Sequence, residues 1–194
     1  MIKIFEKIYN TDKYGYTKYE PRTDSKFKRL IQKPINTLTT DEVAYIFAIH
    51  WMWYMYEAKW YDGVEDCLSD TEFDMNDFDE CAEWLHSFDF PLTVYRALRK
   101  NENTDNINGL SWTVNPNIFK EINSIFRNCD KIVTAEIINP NIIDSELTIS
   151  NFMFYTGSKG RQSNYNFYGE YEITLKKRYK TSDLTNVEIF DKNG

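Results

Sequence analysis

Leu92-Thr93-Val94-Tyr95-Arg96-Ala97-Leu98-Arg99 alternates along its length and reads as a β-strand. Leu92, Val94, Arg96 and Leu98 share one face, and Thr93, Tyr95 and Ala97 share the other, because successive side chains of a strand point to opposite sides. Pro91 breaks the chain just before this run. The alternation sets an arginine among apolar neighbours. A guanidinium there needs an internal carboxylate or an anionic ligand, and its planar fork suits a phosphate.

More strands follow. Gly109–Thr113 reads as a short strand carrying Ser111-Trp112-Thr113, and Lys131–Ile137 alternates. Ile142-Ile143 starts an extended piece, and Phe152–Tyr155 is an apolar run read as a strand. Phe167–Leu175 is the next strand, with Val187–Phe190 as a final edge strand. On the 167–175 run, Tyr171, Ile173 and Leu175 face one way, and Glu170, Glu172 and Thr174 the other. Two carboxylates at i and i+2 of a strand lie about 7 Å apart, far enough for separate roles. A Glu-x-Glu pair alone equally suits the solvent face of an edge strand. One helix is expected in this half: Asn115 caps it, Pro116 starts it, and Ile118, Phe119, Ile122, Ile125 and Phe126 make its apolar stripe to about Arg127.

The chain before residue 91 reads as helical. A short helix is expected near Ser25–Gln32, stopped by Pro34. Thr39 and Glu42 have capping-box spacing ahead of the longest helix, Thr39–Tyr61, which is apolar on two stripes and so largely covered. A further helix runs from about Asp77 to Ser87 and buries Phe78, Cys81, Ala82, Trp84 and Leu85. The fold class is therefore α+β, with a helical region over 1–90 and a mixed or antiparallel β core over 91–194 in a single domain, since no linker separates them.

Composition bounds the function. Apolar residues make up 42% of the 194, and 14 Tyr, 13 Phe and 5 Trp supply an aromatic core. There is no apolar run long enough to span a membrane and no apolar signal segment, so a cytoplasmic protein is expected. Cys67, Cys81 and Cys129 are odd in number and widely spaced, which argues against a disulfide framework or zinc site. His50 and His86 read as packed or surface histidines, and no metal site is expected. Eleven acidic residues and no Lys or Arg lie between Asp62 and Asp89, leaving +4 on the rest of a chain whose net charge is −7. That segment is either a solvated helix face or a dock for a basic partner. The overall acidity disfavours nucleic-acid binding as the main activity.

The ordered set Tyr95-Arg96-Ala97, Ser111-Trp112-Thr113 and Glu170-Tyr171-Glu172 resembles the three motifs of the arginine–serine–glutamate branch of the ADP-ribosyltransferase superfamily, closest to its bacterial and phage-type members. The resemblance covers about Leu92–Leu175. It implies that 91–194 is an NAD-binding core of the ADP-ribosyltransferase type. Arg96 would bind the NAD phosphates or adjoining ribose, and Ala97 would present backbone groups to the nicotinamide amide. Ser111 and Thr113 would orient the catalytic carboxylate and brace the nicotinamide ribose. Glu172 would take the ribose 2′-hydroxyl and stabilise the oxocarbenium-like centre, with Glu170 positioning or deprotonating the acceptor. The loop Thr156–Asn166, with Phe167 and Tyr168, would contact the target. Ala97 departs from the family's usual glycine, and Ser-Trp-Thr from its Ser-Thr-Ser.

The resemblance implies mono-ADP-ribosylation of a protein, at arginine by preference; the Asn-, Ile- and Lys-rich composition fits a phage or mobile-element effector acting on a host factor, with a toxin, an anti-defence factor and a housekeeping modifier all left open. A nucleic-acid acceptor is not excluded by it. NAD glycohydrolysis is a second reading. A catalytically silent fold, whose acidic segment inhibits a nucleic-acid-binding host system, is a third.

Overall fold

The computed structural model describes residues 24–58, 75–99, 109–120, 129–156 and 171–191. Among the described residues, three helices precede the first strand: α1 (Ser25–Leu30), α2 (Thr40–Ala58) and α3 (Met75–His86). Their starts follow the local chemistry. The Asp24 side chain accepts from the Phe27 N–H at 2.8 Å. At α2 the capping box is reciprocal: Thr39 Oγ1 accepts from the Glu42 N–H at 3.4 Å, and Glu42 Oε2 accepts from the Thr39 N–H at 3.2 Å.

The strands are β1 (Leu92–Arg99), β2 (Ser111–Thr113), β3 (Cys129–Ile137), β4 (Glu172–Thr174) and β5 (Thr185–Asp191). They form one sheet in the order β4-β2-β1-β3-β5, with every neighbouring pair antiparallel. A fourth helix, α4 (Ser145–Asn151), runs on into a π-helical turn over Phe152–Thr156. The fold is α+β, as the pattern predicts.

One face of the sheet carries Val94, Leu98, Trp112, Val133, Ala135, Ile137 and Ile173 into a core shared with the helices, where Phe27, Leu30, Phe47, Phe78, Leu85 and Ile149 are also buried. The core draws on residues from Phe27 to Leu184. Truncating a ring such as Phe47, fully buried there, costs about 3–5 kcal/mol. The opposite face holds a small second cluster of Ala97, Phe119 and Cys129 flanked by Tyr95 and Ile132.

Several expectations are corrected. A helical first half followed by a β half does not describe the fold. The helical layer is built from both halves, because α4 and its π turn pack against α2 and α3. Residues 1–23 and 59–74 lie outside the described residues, including the expected end of the long helix. Phe152–Tyr155 is π-helical rather than a strand. Phe152 and Met153 are buried, and the Phe154 ring packs on Phe47 and Trp51 at 5.6 and 5.2 Å. A short apolar run carries no period that separates strand from buried helix. Ile143 does bridge to Leu175, but helix follows it at once. After Asn115 the chain forms a 3-10 turn over Pro116–Lys120, and the remainder of the expected helix, 121–128, lies outside the described residues. The edge strand at 187–190 is present, slightly longer, as β5.

Among the described residues no helix is long and apolar enough to cross a membrane. His50 is half-buried and His86 is exposed, and each has a polar partner. His50 Nδ1 lies 3.0 Å from Glu146 Oε1, and His86 Nε2 lies 2.7 Å from the Leu38 carbonyl. Cys81 is buried, and burial together with nearby Glu80 holds its thiol well above the usual range.

Candidate active site

Strand β2 is the centre of the site because it pairs on both sides. Thr113 is the direct partner of Tyr95 on β1 and of Glu172 on β4, while Ser111 partners Thr174. Direct partners in an antiparallel ladder share a face. Ser111, Thr113, Glu172 and Thr174 therefore stand on one side of the sheet, together with Tyr95 and Ala97. Trp112 and Ile173 are buried on the other. The arginine, serine and glutamate motifs thus occupy three adjacent strands, drawn together from segments far apart in the chain.

Arg96 follows Tyr95 on an unbroken strand, so it leaves β1 on the face of Val94 and Leu98, opposite to that of Glu172. Its guanidinium reaches the start of β2, where Nη1 donates to the Ser111 carbonyl at 3.0 Å. The guanidinium covers Gly109 so closely that a β-carbon there would coincide with it. Trp112 Nε1 fixes the same turn by donating to the Gly109 carbonyl at 3.2 Å. The arginine is therefore tied to the backbone of the serine strand. The pleat does not bring it onto the carboxylate's face.

Glu172 is half-buried, and its Oε1 accepts from the Thr174 hydroxyl at 3.3 Å. Thr174 is itself buried, and its hydroxyl accepts from Asn151 Nδ2 of α4 at 3.3 Å. The outer edge of β4 is closed by the loop and helix beside it. Thr174 N–H donates to Thr148 Oγ1 at 3.1 Å, and Asp144 N–H donates to the Thr174 carbonyl at 2.7 Å. A three-residue strand at a sheet edge gains its definition from such contacts.

Tyr171, immediately before Glu172, has φ 45°, a left-handed conformation uncommon for a residue with a β-carbon. Its ring packs 5.8 Å from Trp84 and 6.3 Å from Phe152, and Trp84 and Phe152 stack at 4.9 Å. Aromatic contacts with α3 and the π turn thus hold the backbone that delivers Glu172. Strand β4 begins at Glu172, directly after this left-handed residue. Glu170 lies outside the described residues, as does the loop from 157 to 168.

The remaining expected site residues fall as follows. Ser111 is exposed on the Glu172 face. Thr113 is buried, and its Oγ1 accepts from the Asn115 N–H at 2.9 Å, so that hydroxyl shapes the turn after β2. Ala97 is buried against the second cluster and pairs with Ile132, and it is not among the positive-φ residues. Three further residues shape the site without having been expected to: Gly109, Thr174 and Asn151. Thr174 was visible as a same-face neighbour of Glu172. Asn151 gave no signal, because the helix that carries it was not expected.

No protein-family model matches the chain, and no curated protein or solved structure matches it significantly. The chemistry must be read from the geometry. A carboxylate held by a buried hydroxyl, with an exposed serine on the same face, is equipped to stabilise a developing positive charge and to accept a hydrogen bond. The Arg96 guanidinium, over the start of β2 on the opposite face, is a group of the kind that binds anions. Among the described residues no three His, Cys, Asp or Glu side chains are grouped to hold a metal ion.

The acidic segment is covered only from Met75 onward, and there some of its carboxylates serve the fold. Asp77 is buried, and Asp79 accepts from the Thr40 hydroxyl at 2.7 Å, joining α3 to α2.

Proposed function

We propose that the chain is an ADP-ribosyltransferase of the arginine–serine–glutamate type that uses NAD as substrate and modifies a protein, at arginine by preference. The observation that carries this reading is the pairing of β2 with both β1 and β4, which gathers the Arg96, Ser111 and Glu172 motifs on neighbouring strands.

In the proposed reaction the C1′–N1 bond of the nicotinamide ribose breaks, and its electron pair leaves with nicotinamide, which becomes neutral. Glu172 stabilises the resulting oxocarbenium-like ribose and accepts a hydrogen bond from the 2′-hydroxyl. A fixed carboxylate in a water-poor site stabilises that charge more than reorganising water does. Ser111 braces the ribose from the same face. The charge of Arg96 holds the phosphates over the start of β2, where its guanidinium lies. A guanidine nitrogen of the acceptor then bonds to C1′ and loses its proton, with Glu170 as the expected base.

The test is mass spectrometry of a lysate incubated with the protein and isotopically labelled NAD, run beside Glu172→Gln. Label on a protein with the wild type alone establishes transfer, and the modified residue tests the arginine preference. Free ADP-ribose and nicotinamide without an adduct would convert the reading to a glycohydrolase. NAD left intact would overturn it.

A further inference from the structure

The fold contains a hydrogen-bond relay that ends on the Glu172 carboxylate, and neither of its two donors, Asn151 and Thr174, is one of the three motif residues. Asn151 Nδ2 donates to Thr174 Oγ1, and Thr174 Oγ1 donates to Glu172 Oε1, each at 3.3 Å. A threonine hydroxyl has a single hydrogen. Because Asn151 supplies a donor to the oxygen, that hydrogen is directed to Glu172. Both supports are fixed independently of the carboxylate. The Thr174 backbone is pinned on its outer edge by Thr148 and Asp144, and Asn151 closes α4, whose Asp144 cap accepts from the Leu147 N–H at 3.1 Å.

We infer that Thr174 and Asn151 are positioning residues that hold one oxygen of the Glu172 carboxylate and orient the other toward the substrate ribose. This rests on the proposed role of Glu172 in NAD cleavage and extends it. The serine strand is then not alone in orienting the catalytic group. A donor from the helical layer, α4, reaches across the sheet edge to do so, which couples the helix packing to the chemistry. The relay acts on the placement of a carboxylate whose contact with substrate strengthens as the glycosidic bond breaks, so its loss falls on kcat rather than on KM for NAD.

The experiment measures nicotinamide release from NAD by the full chain and by Thr174→Val, Thr174→Ser, Asn151→Ala and Asn151→Asp, with Glu172→Gln as reference. Thr174→Val keeps the side-chain shape and the backbone bond to Thr148 but removes the hydroxyl. It is expected to lower kcat by roughly tenfold to a hundredfold, the scale of a small misplacement of a catalytic group, with KM nearly unchanged. Thr174→Ser restores the hydroxyl and recovers most of kcat. Asn151→Asp is expected to be worse than Asn151→Ala, because an aspartate accepts the threonine hydrogen and takes it from Glu172.

If kcat is unaltered in Thr174→Val and Asn151→Asp while Glu172→Gln is inactive, the relay is refuted and the reading of Glu172 stands. If the wild type releases no nicotinamide, or Glu172→Gln matches it, the reading of Glu172 falls and the relay falls with it. Should Thr174→Val fail to fold, the Asn151→Asp and Asn151→Ala pair decides alone. Equal kcat in those two refutes the relay, since a purely structural asparagine would not distinguish them by donor direction.

Discussion

The guanidinium of Arg96 occupies the space that a β-carbon on residue 109 would need, so the arginine's place over β2 depends on Gly109 having none. The guanidinium is the far end of a flexible side chain and can swing aside cheaply. Gly109→Ala should therefore alter stability by less than about 1 kcal/mol, within the range of surface changes and small overpacking. What it removes is the arginine's placement. NAD affinity should fall by roughly tenfold to a hundredfold in Gly109→Ala, the worth of a hydrogen bond to a charged group. Arg96→Ala should fall at least as far. Isothermal titration of the double variant then decides the matter: adding Gly109→Ala to Arg96→Ala should produce little further loss. Two independent losses would mean that Gly109 acts through something other than the arginine.

Asp144 links the helical layer to β4, and its acid–base behaviour gives a test of that link. Burial is the largest influence and pushes its carboxyl up; nearby Glu146 pushes the same way, and the Leu147 N–H and Lys176 oppose this incompletely. A carboxyl raised in the folded state binds its proton more tightly there than in the unfolded chain. Its contribution to stability therefore declines as pH rises from the ordinary aspartate value of 3.8 through the raised one. Asn is as good a cap as Asp. Asp144→Asn should keep the helix start and lack this decline, whereas Asp144→Ala should lie about 1 kcal/mol below Asp144→Asn at every pH. Thermal denaturation of the three proteins across mildly acidic pH separates the cap from the charge. A wild type and Asp144→Asn that run parallel would remove the charge from the account.

Much of this fold was legible because some segments state their periods clearly. Strand β1 was readable to the residue, since Leu92, Val94 and Leu98 alternate with Thr93, Tyr95 and Ala97 and end against Pro91. The α2 capping box was also readable, as was the presence of α1, which ends at Leu30, short of the expected Gln32. Helix α4 was not. Its Ser145-Glu146-Leu147-Thr148-Ile149-Ser150-Asn151 run is rich in β-branched and hydroxyl residues with weak helix propensity. Its only signal was the Asp144 cap, and the apolar Phe152–Tyr155 run then suggested a strand. Of the site, the motif residues on β1, β2 and β4 could be picked out, but their faces could not be compared. That comparison requires the register of β2 against both neighbours, and it sets Arg96 opposite to Glu172. The left-handed turn at Tyr171 was equally invisible, because tyrosine has no preference for it.

A surface pair offers a prediction of opposite sign. Lys33 Nζ lies 2.7 Å from Glu42 Oε2. Burial alone would raise the Glu42 carboxyl, but the Lys33 hydrogen bond and charge, with the Thr39 N–H, outweigh it and hold it below the usual range. Its stabilisation is present above the ordinary glutamate value of 4.5 and is lost as pH falls through the depressed one. Both side chains are partly exposed, at 37% and 22%, so the pair contributes only about 0.5 kcal/mol. Glu42→Gln keeps a capping-box acceptor and removes the charge. Urea denaturation should show the wild type more stable by about that amount near neutral pH, with the gap closing in acid and in high salt. A gap that persists in acid would assign the effect to the cap.

Tyr171 carries two opposed demands, and substitutions can separate them. Its φ of 45° disfavours any side chain, and a β-branched one most. Its ring, meanwhile, packs against the stacked pair of Trp84 and Phe152. Tyr171→Phe keeps the ring and should leave stability and NAD turnover nearly unaltered. Tyr171→Gly relieves the backbone but gives up the ring contacts, and should lose more stability than it regains. Tyr171→Val meets neither demand and should fall about 2 kcal/mol or more below Tyr171→Phe, given the cost of holding a residue in a sparsely populated conformation. The next residue is Glu172, so the same series reads on the chemistry. Turnover should follow the backbone as well as the ring: where Tyr171→Gly and Tyr171→Val are compared at a temperature at which both are folded, the glycine should retain the higher kcat. Equal turnover in those two would show that Glu172 is placed by the sheet and its side-chain contacts without help from the residue before it.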